Sequence, residues 1–330
     1  MINIAINGLG RIGRCVAKIV AKQNNMRLVA INATGSEYMI QYNLRYDSVH
    51  GVDESIVVKD GYVYIADEKA KLLSQRNPVK LDFAFWKADV VLECTGAFLT
   101  SELVRPFIES GVKKVIMSAP AKDDTPTYVL GANDSEYKGE AIISNASCTT
   151  NGLAPVAKVL DENFVIVEAL MTTIHSYTGS QPILDNKHEK DPRKSRAGAI
   201  NLIPASTGAA KAISKVLPNL KGKINGQAIR VPTPNVSIVD LTVTLQKEVT
   251  TNMINEAFVK ASKNSMKGIL GIDDMFRVSQ DFVGSSYSTV VALDTTQVAS
   301  NNMAKVLSWY DNEWGYSSRL VDMAAKISSS

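Results

Sequence analysis

The sequence is short of cysteine and histidine, with three of each among 330 residues. Cys15, Cys94 and Cys148 form no CxxC pair, which excludes a disulfide scaffold, suits a reducing compartment and leaves no metal site to expect. An excess of charge is also missing: 36 Lys and Arg face 33 Asp and Glu, a net +3 without the concentrated basic face that a nucleic-acid binder needs. No stretch approaches the roughly 18 consecutive apolar residues of a membrane span. The N-terminus, Met1 to Ile6, has no charged n-region and runs straight into a glycine turn, so no secretory signal is expected and the location expected is cytoplasmic. Repeats are absent, and the only low-complexity tract is Ser328 to Ser330.

What is present is ordinary in amount and ordered in pattern. At 45% hydrophobic and 21% charged, with 20 Gly and 11 Pro, the chain is globular rather than disordered or collagen-like. At about 100–200 residues per domain the length allows two domains. The first 120 residues alternate apolar runs with helical patterns: strands at Ile2–Ile6, Leu28–Ile31, Asp89–Cys94 and Lys114–Met117, and a helix at Arg11–Gln23. That alternation predicts an α/β domain with a doubly wound parallel sheet, whose ligands bind beyond the carboxyl ends of its strands. After residue 150 the strands lengthen and alternate, at 228–231, 236–245 and 287–293. They read as antiparallel strands of an α+β domain with helices on one face, and a helix over 314–327 closes the chain.

Gly8-Leu9-Gly10-Arg11-Ile12-Gly13 is a strict GxGxxG between a strand and a helix. This spacing lets the backbone approach a pyrophosphate at a helix N-terminus, so Gly8, Gly10 and Gly13 are expected to hold a dinucleotide. An NAD site places an acidic residue about 20 residues further on, at the end of the second strand. Here that strand ends Ile31-Asn32-Ala33-Thr34-Gly35-Ser36. Without a carboxylate to repel a 2′-phosphate, Ala33 and Thr34 point to NADP or to use of both nucleotides. The alternative is that Asn32 and Thr34 still bond an ordinary ribose.

Cys148 stands where an apolar strand, Ala141–Ile143, meets a helix beginning near Thr149. A helix N-terminus stabilises a thiolate, and its free N–H groups can hold an oxyanion; a pKa below the free-thiol value of about 8.5 is expected. Ser-Cys-Thr can equally be a small-residue cap. Cys15 and Cys94 lie inside apolar runs and read as core. Of the histidines, His175 ends the strand Ala169–Ile174, whereas His50 and His188 lie in polar loops. A Cys148–His175 pair would supply a nucleophile and a proton shuttle. Thr178, the Arg193-Lys194-Arg196 cluster, Thr207-Gly208 before a helix, and Arg230 at a strand end gather two phosphate-sized anion sites.

Five segments, 6–14, 144–151, 175–178, 204–208 and 309–317, resemble phosphorylating glyceraldehyde-3-phosphate dehydrogenase in order and spacing. The resemblance implies a dinucleotide-binding domain over 1–147, rejoined by the C-terminal helix at 313–330, and a catalytic domain over 148–312. It implies conversion of glyceraldehyde 3-phosphate and inorganic phosphate to 1,3-bisphosphoglycerate in glycolysis and gluconeogenesis, by a homotetramer. Cys148 would be the nucleophile and His175 the base. Thr178 and Arg230 would hold the substrate phosphate, and Ser147, Thr149, Arg193, Thr207 and Gly208 the inorganic phosphate. Arg11, Ile12, Arg76, Thr95 with Gly96, Ser118 and Asn312 would contact the cofactor, with Tyr316 packed beside the nicotinamide. The chain departs from the family pattern at Leu9, Gly152, Ser180 and Lys194, at Ala33 in place of the NAD-selecting Asp, and at Lys187 in a loop expected to reach a neighbouring subunit. Lysine at 194 cannot reproduce a guanidinium fork. An erythrose-4-phosphate dehydrogenase and a non-enzymatic scaffold on the same fold remain as alternatives.

Overall fold

The computed structural model describes residues 1–189 and 191–329. The chain forms two compact units: Met1–Tyr128, Asp134–Ser147 and the chain from Tyr316 onward make the first, and Val129–Asn133 with Cys148–Gly315 the second.

In the first unit, strands β1 (Ile2–Asn7), β2 (Met26–Asn32), the β3 (Tyr46–Asp47) and β4 (Gly51–Val52) hairpin, β5 (Val57–Lys59), β6 (Tyr62–Ile65), β7 (Glu68–Leu73), β8 (Val90–Glu93), β9 (Lys114–Met117) and β10 (Ile142–Ser144) are joined by helices α1 (Arg11–Val20), α2 (Glu37–Arg45) and α3 (Ser101–Glu109). The main sheet runs β10-β9-β8-β1-β2-β7-β6-β5. From β10 to β7 every pair is parallel, and only the β7-β6-β5 edge is antiparallel. The central strands are apolar along their middles (Ile4, Ala5, Ile6, Val90, Val91 and Leu92 are fully buried) because helices cover both faces of a parallel sheet. On one face Phe83 and Phe107 meet edge to face at 5.4 Å among Val91, Val104 and Val115. The β5–β7 meander and α2 are elements that the sequence pattern did not mark.

The second unit comprises α4 (Cys148–Phe164), β11 (Ile166–Ser176), β12 (Ile203–Ser206), α5 (Ala209–Val216), β13 (Ile224–Val231), β14 (Ser237–Leu245), α6 (Thr251–Lys263), β15 (Leu270–Asp273), β16 (Thr289–Ala292), β17 (Gln297–Ala299) and β18 (Met303–Tyr310), followed by α7 (Trp314–Ser328), which returns to the first unit from Tyr316. Its sheet runs β12-β13-β11-β14-β18-β16-β15, with β17 on β18. The expectation of purely antiparallel pairing fails here. β11 and β13 are parallel, and so are β15 and β16. The connection between β11 and β13 carries α5, long enough for the crossover that parallel strands require. Along β11, Met171, Thr173 and His175 are buried on one face while Val167 and Leu170 stay exposed, 49% and 69%.

Two glycines of the first turn are fixed by space. Gly8 has φ +96°, and a Cβ there would come within 2.8 Å of Thr95; a Cβ on Gly13 would sit 2.0 Å from the Gly8 carbonyl oxygen. A Cβ on Gly10 meets nothing within 4 Å. Gly13→Ala should therefore cost about 3 kcal/mol, and Gly10→Ala, at an N-cap that makes no side-chain bond, less than about 1 kcal/mol. Urea melts of the two variants check the contrast, and equal stabilities would contradict it.

Candidate active site and nucleotide cavity

A cavity of about 490 Å³ opens at the carboxyl ends of β1, β2 and β8. Of the residues expected to hold a cofactor, Gly8, Gly10, Ala33, Thr34, Arg76 and Thr95 line it. Arg11, Ile12, Gly13, Gly96 and Ser118 do not, although Gly13 fixes the turn and Ser118 N–H bonds Glu93 O at 2.9 Å. The Arg11 guanidinium instead forks onto Asp47, 2.7 and 3.0 Å. Burial pushes Asp47 up, but Arg11 and the N–H groups of Val49 and His50 outweigh it and hold the carboxyl at about 2. The residues fit a dinucleotide: an unobstructed Gly10 at the N-terminus of α1, a glycine turn too tight for side chains, and a lining that holds no carboxylate, with Arg76 as its one charge.

The cavity floor is a buried polar chain that sequence reading missed. Asn7 Nδ2 donates to Glu93 Oε2 at 2.5 Å, and Asn32 Nδ2 to Asn7 Oδ1 at 2.7 Å. Asn32 also exchanges two bonds with the Gln75 backbone. Thr95 N–H donates to Glu93 Oε1 at 2.7 Å, and its hydroxyl does the same. Burial pushes Glu93 up to about 7, against these donors, which pull it down. The signal was available: each of β1, β2 and β8 is apolar and ends in a polar residue.

In the second unit Cys148 is the first residue of α4, and its Sγ lies 3.7 Å from His175 Nε2. The pairing of β11 with β13 sets His175 beside Arg230. Arg230 Nη1 is 2.7 Å from His175 Nδ1 and donates to Ser176 O at 2.9 Å; Nδ1 is itself 2.7 Å from Ser176 O. Burial first, and the Arg230 charge second, depress His175 to about 4. The expected depression of the Cys148 pKa is not found: burial pushes the thiol up, and Thr149 and Arg230 only partly offset it. Burial pushes the Cys94 thiol up as well, as suits a core position.

Tyr310 is a further residue that the motifs did not reveal. Its hydroxyl bonds Thr149 Oγ1 at 3.0 Å and Thr173 Oγ1 at 2.7 Å, and its ring meets His175 edge to face at 6.0 Å. The absence of a side chain at Gly152 makes room for it, since a Cβ there would approach the ring to 3.1 Å. A second cavity of about 210 Å³ gathers Arg230, Lys194, His188, Ser180, Gln181 and Ser206. Lys194 lines it and Arg193 does not, although both are exposed. Thr178 Oγ1 bonds Ser180 Oγ at 3.0 Å beside it, and Thr207 Oγ1 accepts from Ala209 N–H where Gly208 caps α5. Asn312 Oδ1 accepts from Ser237 Oγ at 2.8 Å; within the first unit, Tyr316 OH donates to Ala146 O and Ser147 closes the segment.

Residues 2–101 match the family model for the glyceraldehyde 3-phosphate dehydrogenase NAD binding domain, and residues 147–312 match that for its C-terminal domain. The chain belongs to the glyceraldehyde-3-phosphate dehydrogenase family. It is 47% identical over 329 residues to the glyceraldehyde-3-phosphate dehydrogenase of Salmonella typhimurium, and 47% over 328 residues to glyceraldehyde-3-phosphate dehydrogenase A of Escherichia coli, in each case 99% of both chains. It is 48% identical over 332 residues, all of both chains, to the Bacteroides fragilis enzyme of that name. The family assignment carries the α/β dinucleotide fold and a nicotinamide cofactor.

Two outcomes follow from the second unit. Tyr310→Phe strands the Thr149 and Thr173 hydroxyls in the interior, which should cost on the order of 2 kcal/mol in a urea melt; a silent substitution would mean the hydroxyl holds nothing. His175, held near 4 in the fold against 6.5 free, binds its proton more readily in the unfolded chain. Its stabilising contribution is therefore complete above about pH 6.5 and is lost as pH falls towards 4, on the order of 3 kcal/mol in all. His175→Asn should flatten that part of the stability–pH curve, and an unchanged slope would contradict the assignment.

Proposed function

We propose that this chain oxidises glyceraldehyde 3-phosphate with inorganic phosphate to 1,3-bisphosphoglycerate, and runs the reverse, in glycolysis and gluconeogenesis. The observation that carries the reading is the Cys148–His175 pair at the head of α4, with the Arg230 cavity beside it. Cys148 Sγ attacks the aldehyde carbon while its proton passes to His175 Nε2, and the α4 N-terminus steadies the oxygen. His175 returns that proton to the oxygen, giving the hemithioacetal hydroxyl, and takes it back as the hydride departs. A nicotinamide cofactor held by the glycine turn and the lining of the first cavity would supply the hydride acceptor. Phosphate attacks the resulting thioester and frees the thiolate. Arg230 with Thr178 holds the substrate phosphate, and Thr149, Thr207, Gly208 and Arg193 serve the incoming one. Cys148→Ser should abolish oxidation in a steady-state assay, and His175→Asn should leave acylation slow; retained turnover by Cys148→Ser would remove the covalent route. Turnover of erythrose 4-phosphate above that of glyceraldehyde 3-phosphate would move the chain to the sibling activity.

NADP is used at least as well as NAD. Support comes from the cavity wall, where Ala33, Thr34 and Gly35 stand without a carboxylate and Arg76 supplies a positive charge. Glu37, the first acid after β2, is turned away to accept the Gly61 N–H at 2.7 Å. Ala33→Asp should weaken NADP by roughly 2–5 kcal/mol if the phosphate is desolvated, and leave NAD unharmed. Steady-state constants for both nucleotides decide; a wild type restricted to NAD would overturn the preference.

The enzyme is a cytoplasmic homotetramer. Ile183, Leu184, Ile200 and Leu202 are 70–84% exposed in one chain, and Val167 and Leu170 are exposed on the uncovered sheet face, an apolar area that partner subunits would bury. The neighbouring stretch expected to reach a partner's cofactor includes Lys187; Lys190 lies outside the described residues. Among the described residues no helix is long and apolar enough to cross a membrane.

A further inference from the structure

We propose that Glu93 is a positioning residue for the nucleotide. Its buried carboxyl decides, through Thr95, whether the first cavity offers a hydroxyl hydrogen or a lone pair to an incoming phosphate oxygen, and binding draws a proton onto Glu93. The inference rests on the reading of that cavity as the nucleotide site.

The direction of each bond in the polar chain is fixed from its far end. Gln75 meets Asn32 with backbone groups, which cannot exchange roles. Its N–H donates to Asn32 Oδ1 at 2.9 Å, and its carbonyl accepts from Asn32 Nδ2 at 2.8 Å. The Asn32 amide therefore has one orientation, in which Nδ2 also donates to Asn7 Oδ1. That orients Asn7 in turn, and its Nδ2 must donate to Glu93 Oε2. At the other oxygen the Thr95 backbone N–H is a donor in every state. Both carboxyl oxygens thus accept from groups that cannot reverse. The Thr95 hydroxyl on Oε1 is the one partner that can, because a hydroxyl both donates and accepts. A proton on Oε2 would find no acceptor among the described residues, so it belongs on Oε1, donated to Thr95 Oγ1.

A hydroxyl oxygen has three places for hydrogen bonds, one hydrogen and two lone pairs. Thr95 Oγ1 accepts the Ala97 N–H at 3.0 Å in one place and meets Glu93 in the second. Thr95 is exposed and lines the cavity, so the third place is left to what the cavity holds. With Glu93 ionised, the Thr95 hydrogen points to the carboxylate and the third place is a lone pair, which repels a phosphate oxygen. With Glu93 protonated, its O–H donates to Oγ1, and the Thr95 hydrogen moves to the third place and donates to that oxygen. The step relocates protons only: Oε1 gains one from solvent, and the Thr95 hydroxyl turns.

The surroundings of Glu93 suit such a change. It is 1% exposed, and no charged side chain contributes to its ionisation. β1 presents Asn7 to it, β2 reaches it through Asn32, and from β9 the Ser118 N–H bonds its backbone oxygen. The adjoining Cys94, with Cys15 of α1 beyond it, is a thiol that burial keeps protonated. Arg76, the one charge of the cavity lining, does not act on Glu93. Burial against three donors leaves the carboxyl at about 7, where one added hydrogen bond on the ligand side shifts its protonation.

Glu93→Gln would set an amide donor against either Asn7 Nδ2 or the Thr95 N–H and is expected not to fold, so the test leaves Glu93 in place. The full-length protein is titrated calorimetrically with ADP-ribose, which carries the pyrophosphate and both riboses without a nicotinamide, in buffers of different ionisation enthalpy. Wild type should take up about half a proton per site at pH 7, and should bind about tenfold more weakly at pH 8 than at pH 6. With 13C in the glutamate carboxyls, the infrared difference spectrum should gain a carboxylic-acid band as a carboxylate band is lost. Thr95→Val removes the hydroxyl and keeps the N–H; it should abolish the uptake and the band, and Thr95→Ser should restore both. Binding without proton uptake overturns the coupling and leaves the nucleotide reading intact. Uptake that persists in Thr95→Val overturns the route through Thr95. Should that variant be unstable, the wild-type proton count and spectrum decide. Gly10→Phe, placed where a Cβ meets open space, fills the cavity; unchanged ADP-ribose affinity in it would remove the nucleotide reading and this inference with it.

Discussion

His175 has two ring nitrogens and three neighbours that want them, and the chemistry of the second unit depends on how that competition is settled. Sγ of Cys148 stands at one nitrogen; a backbone carbonyl and a guanidinium share the other. Each neighbour arrives by a different structural route. Cys148 is delivered by the first turn of α4, Arg230 by the register of the parallel β11–β13 pair, and Ser176 O by the strand that carries His175 itself. Tyr310 ties these routes together, because one hydroxyl bonds Thr149 on the helix and Thr173 on the sheet. The parallel pairing of β11 and β13 therefore matters beyond topology. An antiparallel neighbour in the same place would reverse the direction of β13 and carry Arg230 to the far end of the strand.

This arrangement bears on the ionisation of Cys148. A helix N-terminus alone does not lower the Cys148 pKa, since the cost of burying a thiolate exceeds what Thr149 and Arg230 return. The thiol and the imidazole have to be treated as one titrating pair, with the proton shared between Sγ and Nε2. Burial disfavours charge on both groups.

Much of this was legible in the sequence, and the illegible part has a common cause. The glycine turn, the strand–helix alternation, Cys148 at a helix start and His175 at a strand end are local patterns, and the structure has each where the pattern put it. Partnerships across strands are not local. Nothing in the spacing of residues 175 and 230 says that they are register partners, and nothing near 310 says that a tyrosine hydroxyl reaches residues 149 and 173. Asn7 and Glu93 escaped for a related reason, and Asn32 was read only as a possible ribose ligand. Each is a single polar residue closing an apolar run, and their meaning appears only when three parallel strand ends are laid side by side. The inference of antiparallel strands after residue 150 failed because alternation reports a half-buried face, which a mixed sheet with helices on one side also has.

The polar chain beneath the nucleotide cavity is the counterpart in the first unit of the His175 triangle. A carboxyl group at 1% exposure needs hydrogen-bond partners, and Glu93 draws on Thr95 twice and Asn7 once. Asn7 passes the constraint to Asn32, and Asn32 clamps the Gln75 backbone, one residue from Arg76. The single charge in the cavity lining is thus carried on a loop anchored to the strand ends, not on a free-swinging segment. That anchoring gives Ala33 its weight. Ala33 bonds the Leu73 carbonyl through its backbone N–H, so the wall it forms is rigid. A side chain placed at 33 would project from a fixed point between Asn32 and the Arg76 loop. A carboxylate there would add a negative charge to a lining that otherwise holds only the charge of Arg76.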